Sequence, residues 1–148
     1  MVLVFYTTIA SIPQKSTVKL RMQDTFSQTY TGIPTLHGII WDSVDLTTIM
    51  PMELVLTALV RCTVLTLDSI LSKQRQSVTH YLIHVTAHQR TAHPQVWESI
   101  ALDIRCSGDS LTDEMLERAM HIVPRYCPVH ATVASTATIT HEISVTPT

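Results

Sequence analysis

A chain of 148 residues has room for one ordinary domain, which buries roughly 68–70% of its unfolded surface without disulfides or metals to staple it. Hydrophobic residues make up 45% of it and charged ones 15%, with three glycines, which argues against disorder and points to further surface covered by a partner subunit. Ten Lys and Arg against twelve Asp and Glu give a formal charge of -2 without a basic run, so nucleic acid is not the expected ligand.

Val2 to Ile12 is apolar, but it lacks the basic flank and small-residue cleavage site of a secretory signal and is too short to span a bilayer. Residues 1–16 are therefore expected to form a flexible arm or an edge strand. Thr17–Met22, Thr25–Tyr30 and Leu36–Trp41 have strand composition, and Gly32 with Pro34 predicts a turn, so this part reads as a meander. After a loop at Trp41–Asp45, Thr47 or Thr48 is placed to cap a helix whose first turn holds Pro51 and Glu53. That helix is expected to run to about Lys73, a length of roughly 33 Å at 1.5 Å per residue. Its apolar stretch from Met52 to Leu71 is long enough to cross a membrane, yet Glu53, Arg61 and Asp68 are spread through it at high insertion cost. It reads as the buried helix of a soluble, cytoplasmic protein.

Ser77–His88 and Val96–Cys106 alternate as strands, joined by a polar loop around His93–Pro94. Ser107-Gly108-Asp109 turns the chain. Ser110 with Asp113 resembles a capping box opening a helix from Leu111 to about Val123, which Pro124 is expected to end or kink. Leu111, Met115, Ala119 and Ile122 form its apolar stripe. Ala131–Val145 returns to strand composition. Strands, a long helix, two strands, a helix and a strand, with no repeat or linker, predict a single α+β domain over residues 1–148.

Three cysteines without a secretory signal point to thiol redox chemistry more than to a disulfide scaffold. At 100° per residue Cys62 shares a stripe with Val55, Ala58, Leu59, Leu65, Thr66 and Ser69, an environment that raises a thiol pKa unless a cation intervenes. Taken alone, this stripe describes an inert core cysteine. Cys127, bracketed by Pro124 and Pro128, reads as an accessible thiol at a helix end, or as a packed C-terminal cap. Cys106 ends a strand and reads as structural. His80, His84 and His88 share one strand face, but neighbours at i and i+4 lie roughly 13 Å apart, too far to share one ion, so neither a metal nor a cofactor is expected. His130 reads as a polar residue at the start of a strand, or as a group polarising Cys127.

Pro51-Met52-Glu53-Leu54-Val55-Leu56 running into Arg61-Cys62-Thr63, the turn Ser107-Gly108, and Arg125-Tyr126-Cys127-Pro128-Val129 together resemble the OsmC/Ohr family of thiol-dependent peroxidases. The resemblance covers roughly Val18 to Val145 in element order, and the two cysteine blocks are its specific part. The form of residues 51–54 and Ile139-Thr140-His141 are most similar to the OsmC-like branch. The resemblance implies an intertwined homodimer, with sheets wrapped around paired long central helices and an active site at each end of the interface. It further implies that Cys62 attacks an organic hydroperoxide, that Cys127 resolves the product, and that a dithiol or a lipoylated protein supplies the electrons without a cofactor.

Family members pair the reactive cysteine with an Arg from the N-terminal strands and with a Glu directly after the motif proline. Arg21 is the only Arg before the helix and so becomes the candidate for the thiolate-stabilising cation. Met52 occupies the Glu position. Glu53 comes one residue late and near 180° from Cys62, which fits a carboxylate serving the helix N-terminus. Arg61, where the family commonly has a small residue, points about 100° from Cys62 and is expected to pair with Asp68. Arg125 is the candidate to serve Cys127. Met52 and Arg61 keep a second reading open, a noncatalytic OsmC-like dimer whose cleft binds a small apolar ligand.

Overall fold

The computed structural model describes residues 25–42 and 47–147. The arm over residues 1–16, the strand expected at Thr17–Met22 and Arg21 lie outside the described residues. The elements are β1 (Thr25–Thr35), β2 (Gly38–Trp41), α1 (Pro51–Lys73), β3 (His80–Gln89), β4 (Trp97–Ser107), α2 (Asp113–Tyr126), α3 (Pro128–Val133) and β5 (Thr138–Val145). The strands form one sheet in the order β2-β1-β3-β4-β5, antiparallel except for the β4–β5 pair. The α+β class read from the sequence is the class observed.

Alternation along the strands decides which face carries the helices. Tyr81, Ile83, Val85 and Ala87 of β3 and Ile100, Leu102, Ile104 and Cys106 of β4 are buried on one face, while His80, Leu82, His84 and His88 are exposed on the other. A slip of one residue would reverse every one of these, so the buried face fixes the register. On α1, Leu56, Leu59, Val60, Val64, Leu67 and Leu71 recur at helical spacing and are buried in the core. Each such side chain contributes roughly 1.5–3 kcal/mol on full burial. Of the described helices, α1 alone is long and apolar enough to cross a membrane, and this buried stripe makes it a core helix of the domain.

A parallel β4–β5 pair needs a crossover, and α2 with α3 supplies it. Leu116, Ala119, Met120 and Val123 form the buried face of α2, and both crossover helices pack against α1. The crossover therefore carries the end of α2, and Cys127 with it, onto α1.

Several boundaries differ from the sequence reading. β1 continues through Gly32 and Pro34, and the turn falls at Leu36–His37. Gly32 is buried where a Cβ would stand 3.0 Å from the Ile39 side chain and 3.1 Å from the Trp41 ring, so close packing explains this glycine. Pro34 pairs with Ile39 of β2 but lies beyond Gly32, the last β1 residue paired with β3, so its missing donor interrupts no ladder on that side. Met50, not Thr47 or Thr48, is the N-cap of α1, because Glu53 reaches back to accept the Met50 N–H at 3.0 Å. Thr112, not Ser110, caps α2 by accepting the Met115 N–H, which frees Asp113 to accept the Val145 N–H at 2.7 Å and secure the end of β5. Pro124 neither ends α2, which runs on to Tyr126, nor leads into a strand. Pro128 instead starts α3 at a position where a missing N–H costs nothing, and the last strand begins only at Thr138.

Candidate functional site

Cys62 sits in the middle of α1 and Cys127 at the junction of α2 and α3, and their sulfurs lie 2.8 Å apart, with the Cys127 thiol donating to the Cys62 sulfur. Both are free cysteines. Cys127 is held by two helices at once. Its N–H donates to the Val123 carbonyl at 2.9 Å to end α2, its carbonyl accepts from the Ala131 N–H at 3.1 Å, and its sulfur accepts from the His130 N–H at 3.3 Å to begin α3.

The expectation of an accessible Cys127 is corrected here. The side chain is 1% exposed, because the two helices close over it from one side and α1 from the other. Cys62 is the half-buried member of the pair. Its stripe is only partly core, since Leu59 is buried while Ala58, Leu65 and Ser69 are exposed. Burial, followed by the hydrogen bond to Cys62, pushes the Cys127 thiol up to about 11, against a lowering by the His130 N–H. Cys127 is therefore a neutral donor near pH 7, oriented toward the more exposed sulfur.

Glu53 is fixed at the helix start by the Met50 N–H, as its position predicted. The Met52 carbonyl accepts from Trp97 Nε1 at 3.0 Å, pinning the first turn of α1 to β4. Arg61 does not pair with Asp68. Its guanidinium lies over the Trp41 ring, 5.7 Å from the centroid, while Asp68 accepts a hydrogen bond from the Tyr81 hydroxyl at 2.9 Å. Seven residues of helix separate Arg61 from Asp68 by roughly 10 Å of rise, whereas the aromatic face is directly available to the cation. Arg125 is exposed in the last turn of α2, where a cation faces the carbonyl end of the helix. Cys106 is fully buried, and burial, then Asp68, raises its thiol to about 12.

His130 lies inside α3 and not at a strand start, and its backbone N–H is the group that touches Cys127. Its ring has a lowered proton affinity, through burial and then His141. On the open sheet face His84 bonds the Ser27 and Thr29 hydroxyls and His88 bonds Thr25, each at 3.0 Å. Among the described residues no group of three or more His, Cys, Asp or Glu is arranged to hold a metal ion.

Two contributors were not anticipated. The His130 backbone N–H has no sequence signature of its own. Thr63 follows Cys62 directly, is 1% exposed, and lies close enough to Cys127 to lower the proton affinity of its thiol. In the sequence it is one β-branched residue among many in an apolar helix. A groove of about 540 Å³ begins one turn beyond Cys62, lined by Leu65, Thr66, Ser69, Ile70, Ile122 and Tyr126 among others. Among its lining residues, Thr66 donates to the Cys62 carbonyl at 2.8 Å and Tyr126 directly precedes Cys127, while neither cysteine lines the groove itself.

Residues 45–142 match the family described as OsmC-like protein. The chain belongs to the OsmC-like family. Protein YhfA of Escherichia coli (strain K12) is similar to it, with 32% identity over 96 residues, 64% of this chain and 72% of that protein. The OsmC-like protein of Mycoplasma pneumoniae shares the fold, with a TM-score of 0.58 and 15% identity over 84% of this chain and 98% of that one. So does the organic hydroperoxide resistance protein OhrB of Bacillus subtilis, with a TM-score of 0.51 and 12% identity over 80% of this chain and 98% of that one.

Proposed function

We propose that this OsmC-like protein reduces organic hydroperoxides through Cys62 and Cys127 as part of oxidative-stress defence. The approach of the two sulfurs to 2.8 Å carries this reading, because a peroxidatic thiol and a resolving thiol must come within bonding reach. The family supports it, as does the hydroperoxide resistance named for OhrB.

Cys62, the more exposed sulfur, attacks as thiolate at the distal peroxide oxygen. An S–O bond forms, the O–O bond breaks, and the alkoxide leaves to take up a proton as the alcohol. The Cys127 sulfur then attacks the sulfenic sulfur, giving the disulfide and water. An external dithiol or lipoylated protein returns both thiols by exchange. The apolar groove beside the pair offers a wall for the organic part of the peroxide.

The protein acts as a homodimer in the cytoplasm. The outer side of α1, where Leu54, Ala58 and Leu65 are exposed, supplies apolar surface for a second subunit. Arg21 is the proposed cation for the Cys62 thiolate, by its match to the family pattern.

Excess cumene hydroperoxide tests the reading. Intact mass should fall by two hydrogens and peptide mapping should join Cys62 to Cys127. A protein that keeps both thiols under peroxide excess is not this enzyme, and the noncatalytic ligand-binding reading would take its place.

A further inference from the structure

Thr63 breaks a rule that its neighbours on α1 follow. Thr57 donates to the Glu53 carbonyl at 3.1 Å and Thr66 to the Cys62 carbonyl at 2.8 Å, the usual back-bond of a helical threonine. The Thr63 hydroxyl is buried and has no hydrogen-bond partner. Leaving such a group unsatisfied is costly, so a buried hydroxyl of this kind calls for a physical reason. The reason lies beside it. Cys127 already accepts the His130 N–H at 3.3 Å, and while it donates its own proton to Cys62 it carries no charge for a second donor to meet.

We infer that Thr63 and the His130 N–H form a two-donor cradle for a Cys127 thiolate, so that reduction of the Cys62–Cys127 disulfide proceeds by attack on Cys62 with Cys127 as the leaving group. The inference deepens the proposed peroxidase reading and rests on it for the existence of the disulfide in turnover. Exposure selects the same sulfur, since Cys62 is half-buried and Cys127 is 1% exposed.

The steps balance. One thiolate of an external dithiol attacks Cys62 Sγ, forming a new sulfur–sulfur bond as the bond to Cys127 breaks. The electron pair leaves on Cys127, where the Thr63 O–H and the His130 N–H donate to it until it takes up a proton. The second thiol of the reductant then attacks its own bound sulfur and expels Cys62 as thiolate. The dithiol is oxidised by two electrons to its disulfide, and the protein is reduced to two thiols.

The cradle matters because burial alone makes Cys127 a poor leaving group, and leaving-group basicity slows exchange. In the dithiol state burial and Cys62 together raise the Cys127 thiol to about 11. Once Cys62 is capped by the reductant its share vanishes, and the two donors are what oppose the remaining effect of burial.

The disulfide can be formed with diamide, independently of any peroxide. Oxidised protein is then treated briefly with excess glutathione and quenched in acid, the released thiol is blocked with N-ethylmaleimide at low pH, and the adducts are mapped. Glutathione is expected on Cys62 and maleimide on Cys127; the reverse distribution overturns the inference. In parallel, the rate of reduction by dithiothreitol should fall about tenfold in Thr63→Val and recover in Thr63→Ser, as expected for a hydrogen bond to a charged group. Equal rates in the parent and Thr63→Val also overturn it, and should Thr63→Val fail to fold, the adduct map on the parent decides. If peroxide forms no disulfide while diamide does, the peroxidase reading fails and the direction of exchange is still measured.

Discussion

The Cys127 thiol donates to the Cys62 sulfur at 2.8 Å across a sequence separation of 65 residues, and it does so from the buried side of the pair. The two positions are therefore not equivalent. Replacing Cys62 by Ser should abolish hydroperoxide consumption, since an alcohol is not a nucleophile at its ordinary pKa. Cys127→Ser should consume about one equivalent of peroxide per site and stop, because the sulfenic acid then has no thiol to trap it. Both outcomes are read from peroxide loss over time together with intact mass. A Cys62→Ser protein as active as the parent would remove the assignment.

Glu53 is fixed at the start of α1 by the Met50 N–H, which separates a capping role from a catalytic one. Glu53→Ala should lower stability by about 0.5–2 kcal/mol, the range for loss of a cap, measured by urea denaturation. Glu53→Gln retains an acceptor and should recover most of that loss. A large fall in peroxide turnover in Glu53→Gln with unchanged stability would return Glu53 to the chemistry.

Gly108 closes the turn after β4 against backbone that cannot give way. A Cβ there would stand 2.3 Å from the Ser77 carbonyl oxygen and 2.8 Å from Leu111 Cδ1. Gly108→Ala should therefore destabilise by about 2 kcal/mol or more, as backbone clashes do. Gly38 has open space around it but a φ of 128°, so Gly38→Ala tests conformational strain without a clash. Thermal denaturation of the two variants side by side distinguishes crowding from backbone strain.

The elements that could be read in the sequence are those whose pattern is local. α1 announces itself by Pro51 and Glu53 at one end and Lys73 at the other, and β3 and β4 by alternation. What sequence did not show depends on tertiary partners. Trp41 lies far from Arg61 in the chain, yet its ring takes the guanidinium that helix spacing had assigned to Asp68, and the Tyr81 hydroxyl takes Asp68. Gly32 and Pro34 have turn chemistry, but pairing with β2 and packing against Trp41 keep them in a strand. Both cysteines of the candidate site could be picked out from their blocks, and the fold brings their sulfurs together. Their inverted exposure was not, because it follows from α2 and α3 closing over Cys127. Thr63 was invisible for the same reason, since the thiol whose proton affinity it lowers belongs to another element.

Cys106 and Cys127 make the fold sensitive to alkali. Burial first, then Asp68, raises the Cys106 thiol to about 12, and burial first, then Cys62, raises Cys127 to about 11. An unfolded chain releases these protons near pH 8.5, the ordinary thiol value. Below that pH both states hold the proton and the stability is fully present. As pH rises further the unfolded state binds fewer protons than the folded one, so stability falls, and it continues to fall until the folded-state values are reached. Each thiol should contribute a slope approaching about 1.4 kcal/mol per pH unit in the window between roughly pH 9 and 11. Urea denaturation of the reduced protein at pH 8, 9 and 10 measures it. Cys106→Ala introduces a small cavity whose cost is the same at every pH, but it should remove one thiol's share of the slope. A variant with the parent's slope would show that Cys106 ionises as freely in the folded protein as in the unfolded chain, and that the strand position does not hold its proton.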